Sequence, residues 1–205
     1  MGQQKLLLPL GNRPVIARCI ESLEAAGIDP IIVVTGPEGS AVREALRYLP
    51  VTGVTNPKPG SEMADSVRAG FAAVGDAVSS VFVCPGDYPL VSPATFAAMK
   101  SVFREDPGII VPRYLGKKGH PVLFPRALLA EIGIEPTMRD ILRKHPGDVR
   151  MVDIYDEGVV IDMDTPEDYR DVRFRFHAAN AAALRDSRLK SPAGAVNAGP
   201  AGVPR

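Results

Sequence analysis

Ser80-Val81-Phe82-Val83-Cys84 is the most strand-like run in the chain, and it stops abruptly at Pro85-Gly86-Asp87-Tyr88-Pro89. A β-branched, apolar segment of this length bounded by turn residues reads as a buried strand. Outward from it, short apolar runs alternate with helical patterns, the mark of βαβ units around a largely parallel sheet. Upstream, Val15, Ile16, Cys19, Ile20 and Leu23 recur at helical spacing after Pro14 and stop at Gly27. Strands are predicted at Ile31–Thr35 and Val51–Thr55 around a helix near Val42–Leu49, and the proline-rich loop Asn56–Ser61 leads into a helix with Met63, Val67, Phe71 and Val74 on one face. Downstream, a helix begins at Pro93, Ile109–Val111 is a strand, and Ala127–Ile132 and Met138–His145 are helical. Val149–Ile154 and Val159–Asp162 read as late strands, and Asp164-Thr165-Pro166-Glu167-Asp168 opens a last helix with a capping residue and a proline in its first turn. The periodic pattern gives an α/β domain over residues 1–177. From 178 to 205 alanine, glycine, proline and serine dominate, which predicts a frayed helix end and then a disordered tail.

Composition narrows the function classes. The 205 residues are 45% hydrophobic and 23% charged, enough for one domain with its own core. Twenty-four basic side chains balance 24 acidic ones, so no broad field draws the protein to nucleic acid or to an anionic membrane. The two cysteines, Cys19 and Cys84, lie in apolar stretches and suit buried thiols in a reducing compartment, and no apolar run is long enough for a membrane span. A cytosolic location is expected.

Two acidic turns carry the chemistry. Asp87 follows one apolar run, and Asp162-Met163-Asp164 follows another. In open parallel sheets ligands bind beyond the carboxyl ends of the strands, where Asp87 stands. Carboxylates converging there can hold Mg²⁺, which takes hard oxygen ligands and completes its shell with water and substrate phosphates. Strand alternation would put Asp162 and Asp164 on one side, either serving as second ligand. Each acid also has an ordinary reading, Asp87 as a turn residue and Asp164 as a helix cap. Met63 can equally be core, His120 can pin a turn between Gly119 and Pro121, and Lys5 can be a surface lysine.

Four motifs in order resemble the MobA/MocA-type nucleotidyltransferases, and most closely their molybdenum cofactor cytidylyltransferase branch. They are Met1-Gly2-Gln3-Gln4-Lys5 with Leu6–Gly11, then Gly86–Val91, Gly119-His120-Pro121-Val122-Leu123-Phe124, and Asp162–Asp168. The resemblance implies a Rossmann-like, three-layer fold that binds an NTP at the sheet's carboxyl edge. It implies transfer of a nucleoside monophosphate, with CTP as donor, a phosphorylated acceptor such as molybdopterin, Mg²⁺ as cofactor and pyrophosphate as product. By resemblance Lys5 contacts the phosphates, Asp87 binds the metal with Asp164 as second acid and Asp162 in reserve, and Asn56, Met63, Ser66 and His120 contact nucleotide or acceptor. Two departures stand out: the strand and glycine-rich loop that the family carries before Met1-Gly2 are missing from this sequence, and of the branch's acceptor-side motif only Arg139 corresponds. Another NTP or a sugar phosphate as substrate, or a binding module without turnover, are the alternatives.

Overall fold

The computed structural model describes residues 3–190. After a 3₁₀ turn at Gln3–Leu7 come a short antiparallel pair, β1 (Pro9–Leu10) and β2 (Arg13–Pro14), and helix α1 (Val15–Ala25). Then follow β3 (Ile32–Thr35), α2 (Ser40–Leu46), β4 (Thr52–Thr55), α3 (Met63–Phe71), β5 (Ser80–Val83), α4 (Pro93–Glu105) and β6 (Ile109–Tyr114). The chain continues through β7 (Lys117–Lys118), β8 (Val122–Pro125), α5 (Arg126–Leu129), α6 (Met138–Lys144), β9 (Val149–Asp153) and α7 (Pro166–Lys190).

Side chains alternating across the strands create three layers. In β6, Ile109 and Val111 pack with Phe124 of β8 against α3, α5 and α6, while Ile110 and Leu123 turn the other way onto Met99 of α4. In β5, Val81 and Val83 join the first group and Phe82 the second, where it also meets Phe96 edge-on at 5.2 Å. A further cluster joins Ile16 and Ile20 of α1, Val42 and Leu46 of α2, and Val91 and Phe96. The expected α/β class therefore stands, with helices on both faces of the strands.

The sheet is mixed where a largely parallel one was expected. β3 and β4 pair in parallel, as do β6 and β9, but β8 runs antiparallel to both β5 and β6. The reason is local: β6 turns back through β7 at the Tyr114–Lys117 corner, so β8 returns alongside without a crossover helix. β3 bonds to β4 and β5 to β8, and each leaves its other edge unpaired among the described residues.

Three other expectations change. Val159–Asp162 is no strand: Glu157–Val160 forms a 3₁₀ turn wedged between neighbouring backbones. Gly119 and Gly158 permit this, because a Cβ on either would run into the carbonyl of Val159 or of Leu90, respectively. Met63 does not share the core face with Val67 and Phe71; it is 51% exposed in the first turn of α3, while Ala64 supplies the buried contact. The last helix runs on to Lys190, past the expected end of the domain at 177, and the rest of the predicted tail lies outside the described residues.

The 157–160 turn is anchored by Asp156. Its carboxylate accepts hydrogen bonds from the backbone N–H of Ser92 (2.8 Å) and Gly158 (2.9 Å) and from the hydroxyl of buried Thr95 (2.6 Å). Removing that acceptor strands donors with no replacement, at about 1–3 kcal/mol for each buried group. Asp156→Ala should therefore lower unfolding stability by about 2 kcal/mol or more. Urea denaturation followed by circular dichroism measures this, and an unchanged midpoint would contradict the anchoring role.

Candidate active site

Lys5 is the meeting point of three distant stretches of chain. Its ammonium donates to Asp87 Oδ2 at 2.6 Å and to Asp164 Oδ1 at 2.6 Å, 82 and 159 positions away. Each partner is aimed by its own surroundings. Lys5 lies in the 3₁₀ turn Gln3–Leu7, whose Leu6 and Leu7 are pinned against the cluster around Ile16 and Ile20. Asp87 follows β5 in a turn held from below by the Cys19 thiol, which donates to the Gly86 carbonyl at 3.3 Å. Asp164 precedes a helix start in which Thr165 is the capping residue: its hydroxyl accepts from Asp168 N–H at 3.1 Å, and Asp168 accepts from Thr165 N–H at 2.7 Å. The cap reading of Asp164 is thus replaced, and its carboxylate is left for Lys5.

Asp162 stands beside this group. Met163 between the two acids is fully buried against Leu10, Val15 and Val172, whereas Asp162 and Asp164 both stay at least partly open to solvent. The alternation expected of a strand therefore survives in an irregular segment. Burial, reinforced by the charges of Asp164 and Asp87, raises the Asp162 pKa above the usual carboxylate value. Burial likewise pushes the Tyr88 hydroxyl up to about 12, helped by the neighbouring charges of Asp162, Asp87 and Asp164. Lys5 loses some preference for its charged form through burial, but its two carboxylate partners outweigh this and leave its pKa above the ordinary lysine value. Two carboxylates share one ammonium, which leaves the pair with surplus negative charge.

His120 packs edge-on against Tyr88, ring centres 5.1 Å apart, with its backbone N–H on the Val159 carbonyl at 2.8 Å. Its Nδ1 is buried without a hydrogen-bond partner. Asn56 and Ser66 form a separate pair on the α3 side. Asn56 is buried, its amide donates to the Ser66 hydroxyl at 3.4 Å, and its carbonyl accepts from Lys58 N–H at 3.1 Å. Of the sequence-derived candidates, then, Lys5, Asp87 and Asp164 touch, Asp162 and His120 flank them, Asn56 and Ser66 bond to each other, and Met63 faces solvent. Met1-Gly2 of the first motif lie outside the described residues. Tyr88, which bridges the acids to His120, was missed in the sequence although it directly follows Asp87.

A cation fits between Asp87 and Asp164, because an ammonium already sits within 2.6 Å of both carboxylates. Two carboxylates with waters and substrate phosphates are the usual protein share of a Mg²⁺ site. Among the described residues no cluster of three or more histidine, cysteine or acidic side chains is arranged to enclose a metal by itself. No described helix is long and apolar enough to cross a membrane.

β5 ends at the acidic turn of Asp87 in a sheet covered by helices on both faces, an arrangement that other proteins share. In keeping with this, the chain resembles the crystal structure of Rv0371c from Mycobacterium tuberculosis, with a TM-score of 0.73 and 30% identity over 84% of this chain and 89% of that one. The same protein's manganese complex matches at a TM-score of 0.69, with 30% identity over 82% of this chain and 90% of that one. The molybdenum cofactor cytidylyltransferase of Escherichia coli is 30% identical over 86% of this chain and 90% of its own length. Residues 1–149 match the MobA-like NTP transferase domain, and the chain belongs to that family of nucleotidyltransferases.

Burial lowers the pKa of His120 below the ordinary 6.5; the Asp87 charge works against this shift and Arg139 works with it. Protonation therefore favours the unfolded chain, so stability falls as pH drops below about 6.5 through the lower native value. An NMR titration should find the His120 ring signal changing at lower pH than in the unfolded chain, and His120→Gln should flatten the acid-side loss of stability. A native midpoint at or above 6.5 would contradict this assignment.

Proposed function

We propose that this protein transfers CMP from CTP to a phosphorylated acceptor, with molybdopterin as the leading candidate, and releases pyrophosphate. The observation that carries the reading is the single ammonium of Lys5 shared by Asp87 and Asp164. The cytidylyltransferase identity of the Escherichia coli relative supports CTP as donor. In the reaction an acceptor phosphate oxygen forms a bond to the α-phosphorus, and the bond from that phosphorus to the α–β bridging oxygen breaks. Two anions must approach one another, so positioning and positive charge supply most of the catalysis.

Asp87 and Asp164 would hold Mg²⁺, with Asp162 as a neighbouring acid; the ion, when bound, offsets charge on the phosphates. In this reading Lys5 leaves the carboxylates and binds phosphate oxygens of the nucleotide. Tyr88 keeps Asp162 and His120 apart as a wall of the cleft. His120 lies on the acceptor side, and Asn56, Ser66 and Met63 line the α3 side, where base or acceptor is met. Exposure of the Asp164 side chain, at 68%, supports access to this site from solvent.

Asp87→Asn should abolish Mg²⁺-dependent pyrophosphate release, a loss of at least 100-fold, while the circular dichroism spectrum and the unfolding midpoint stay near those of the parent. Undiminished turnover would remove Asp87 from the mechanism. A panel of the four NTPs under the same assay tests the donor, and CTP should be used best. Equal or better turnover with another NTP, or with a sugar phosphate as acceptor, would overturn the substrate assignment.

A further inference from the structure

Away from the acidic cluster, helix α2 and the β3–β4 pair enclose a second cavity, of about 150 Å³. Its floor is the strand face that α2 covers. Val33 of β3 lies beside Gly53 of β4 in the parallel register, and Val51 stands two residues before Gly53, so all three belong to one face. Val33 and Val51 pack against the cluster that holds Val42 and Leu46. Gly53 has no side chain to add, and a Cβ built there meets nothing within 4 Å. The missing side chain thus leaves open the space between strands and helix.

Two guanidinium groups line the same cavity. Arg43, Leu46 and Arg47 follow one another at the spacing that puts residues on one side of a helix, with Leu46 buried and the two arginines flanking it. Arg43 is half-buried. Its Nη1 donates to the Thr35 hydroxyl at 2.8 Å and to the Gly36 carbonyl at 3.5 Å, and among the described residues it makes no ion pair and no hydrogen bond through Nε or Nη2. Arg47 lies over the Tyr48 ring at 4.3 Å and pairs with Glu44, both partners more than half exposed, and such a surface pair holds its members weakly. One acid beside two bases leaves the mouth of the cavity positive. An apolar floor beneath uncommitted guanidinium donors has the makings of a small-molecule site.

We propose that this cavity binds a small phosphate monoester carrying one six-membered ring, at a site separate from the Lys5–Asp87–Asp164 group. Size selects the body: a cavity of about 150 Å³ takes up one benzene-sized ring. Charge selects the head. A phosphate monoester brings nearly two negative charges and three acceptor oxygens, which the forked N–H donors of two guanidinium groups match. A bare phosphate would leave the floor at Val33, Val51 and Leu46 uncovered, and a neutral ring would leave the Arg43 donors unused. The site stands independently of nucleotidyl transfer, since no residue of the Lys5 group lines it.

The test uses the full chain without metal or nucleotide and phenyl phosphate as probe, followed by the backbone amide NMR signals. Saturable shifts are expected at Val33, Gly53 and Arg43, with inorganic phosphate and phenol each bound roughly 10-fold or more weakly than phenyl phosphate. Gly53→Leu puts a side chain in the space of the ring, and Arg43→Gln removes the charged donors. Each should weaken phenyl phosphate by roughly 10-fold or more while the circular dichroism spectrum stays that of the parent. Inorganic phosphate bound as tightly as phenyl phosphate, shifts centred on Asp87 and Asp164 instead of Gly53, or parent-like affinity in either folded variant would overturn the assignment. Should Gly53→Leu fail to fold, Arg43→Gln decides.

Discussion

A lysine ammonium held between two carboxylates fixes the relation of three segments that no sheet ladder joins directly. Lys5 enters on the turn before β1, Asp87 on the turn after β5, and Asp164 on the segment before α7. Each lies on an element that packs elsewhere: Leu6 and Leu7 against α1, the Gly86 turn over Cys19, and Met163 into the cluster with Leu10 and Val172. The core thereby carries the cost of bringing like charges together, and the ammonium offsets part of their repulsion. Separately, such pairs near the surface contribute little, about 0–1 kcal/mol. Their weight here is geometric, since they define a point at which positive charge is wanted.

The supporting shell is made of hydrogen bonds to backbone. Asp156 fixes the turn before Asp162, and Thr165 and Asp168 fix the helix after Asp164. None of these side chains needs to touch a substrate to matter. Displacing any one moves a charged group relative to the others, and electrostatic positioning is sensitive to small displacements.

Much of the fold was legible because it rests on short-range patterns. The strand at Ser80–Val83, the helix beginning at Pro93 and the proline-led start of α7 each follow from residue spacing and caps. Strand direction was not legible, because β8 returns through a tight β6–β7 corner, and pairing partners leave no local trace in sequence. The segment Val159–Asp162 is a turn where a strand is predicted because an apolar run of three can equally be a buried turn, and the glycines that allow that turn show their purpose only against the carbonyls of Val159 and Leu90. In the site, Lys5, Asp87 and Asp164 were recoverable through motif resemblance, and the outward placement of Asp162 with Asp164 through alternation. Tyr88 was not, since its packing against His120, 32 positions away, has no signature in its own neighbourhood.

The sulfur under the Asp87 turn has a chemical consequence. Burial and the adjacent Asp87 charge push the Cys19 thiol up to about 12, and burial raises Cys84 as well. At neutral pH the thiolate, the form that reacts with peroxides, disulfides and alkylating agents, is therefore strongly disfavoured at Cys19. The floor beneath the acids is therefore chemically quiet, a protonated sulfur whose hydrogen stays directed at the Gly86 carbonyl.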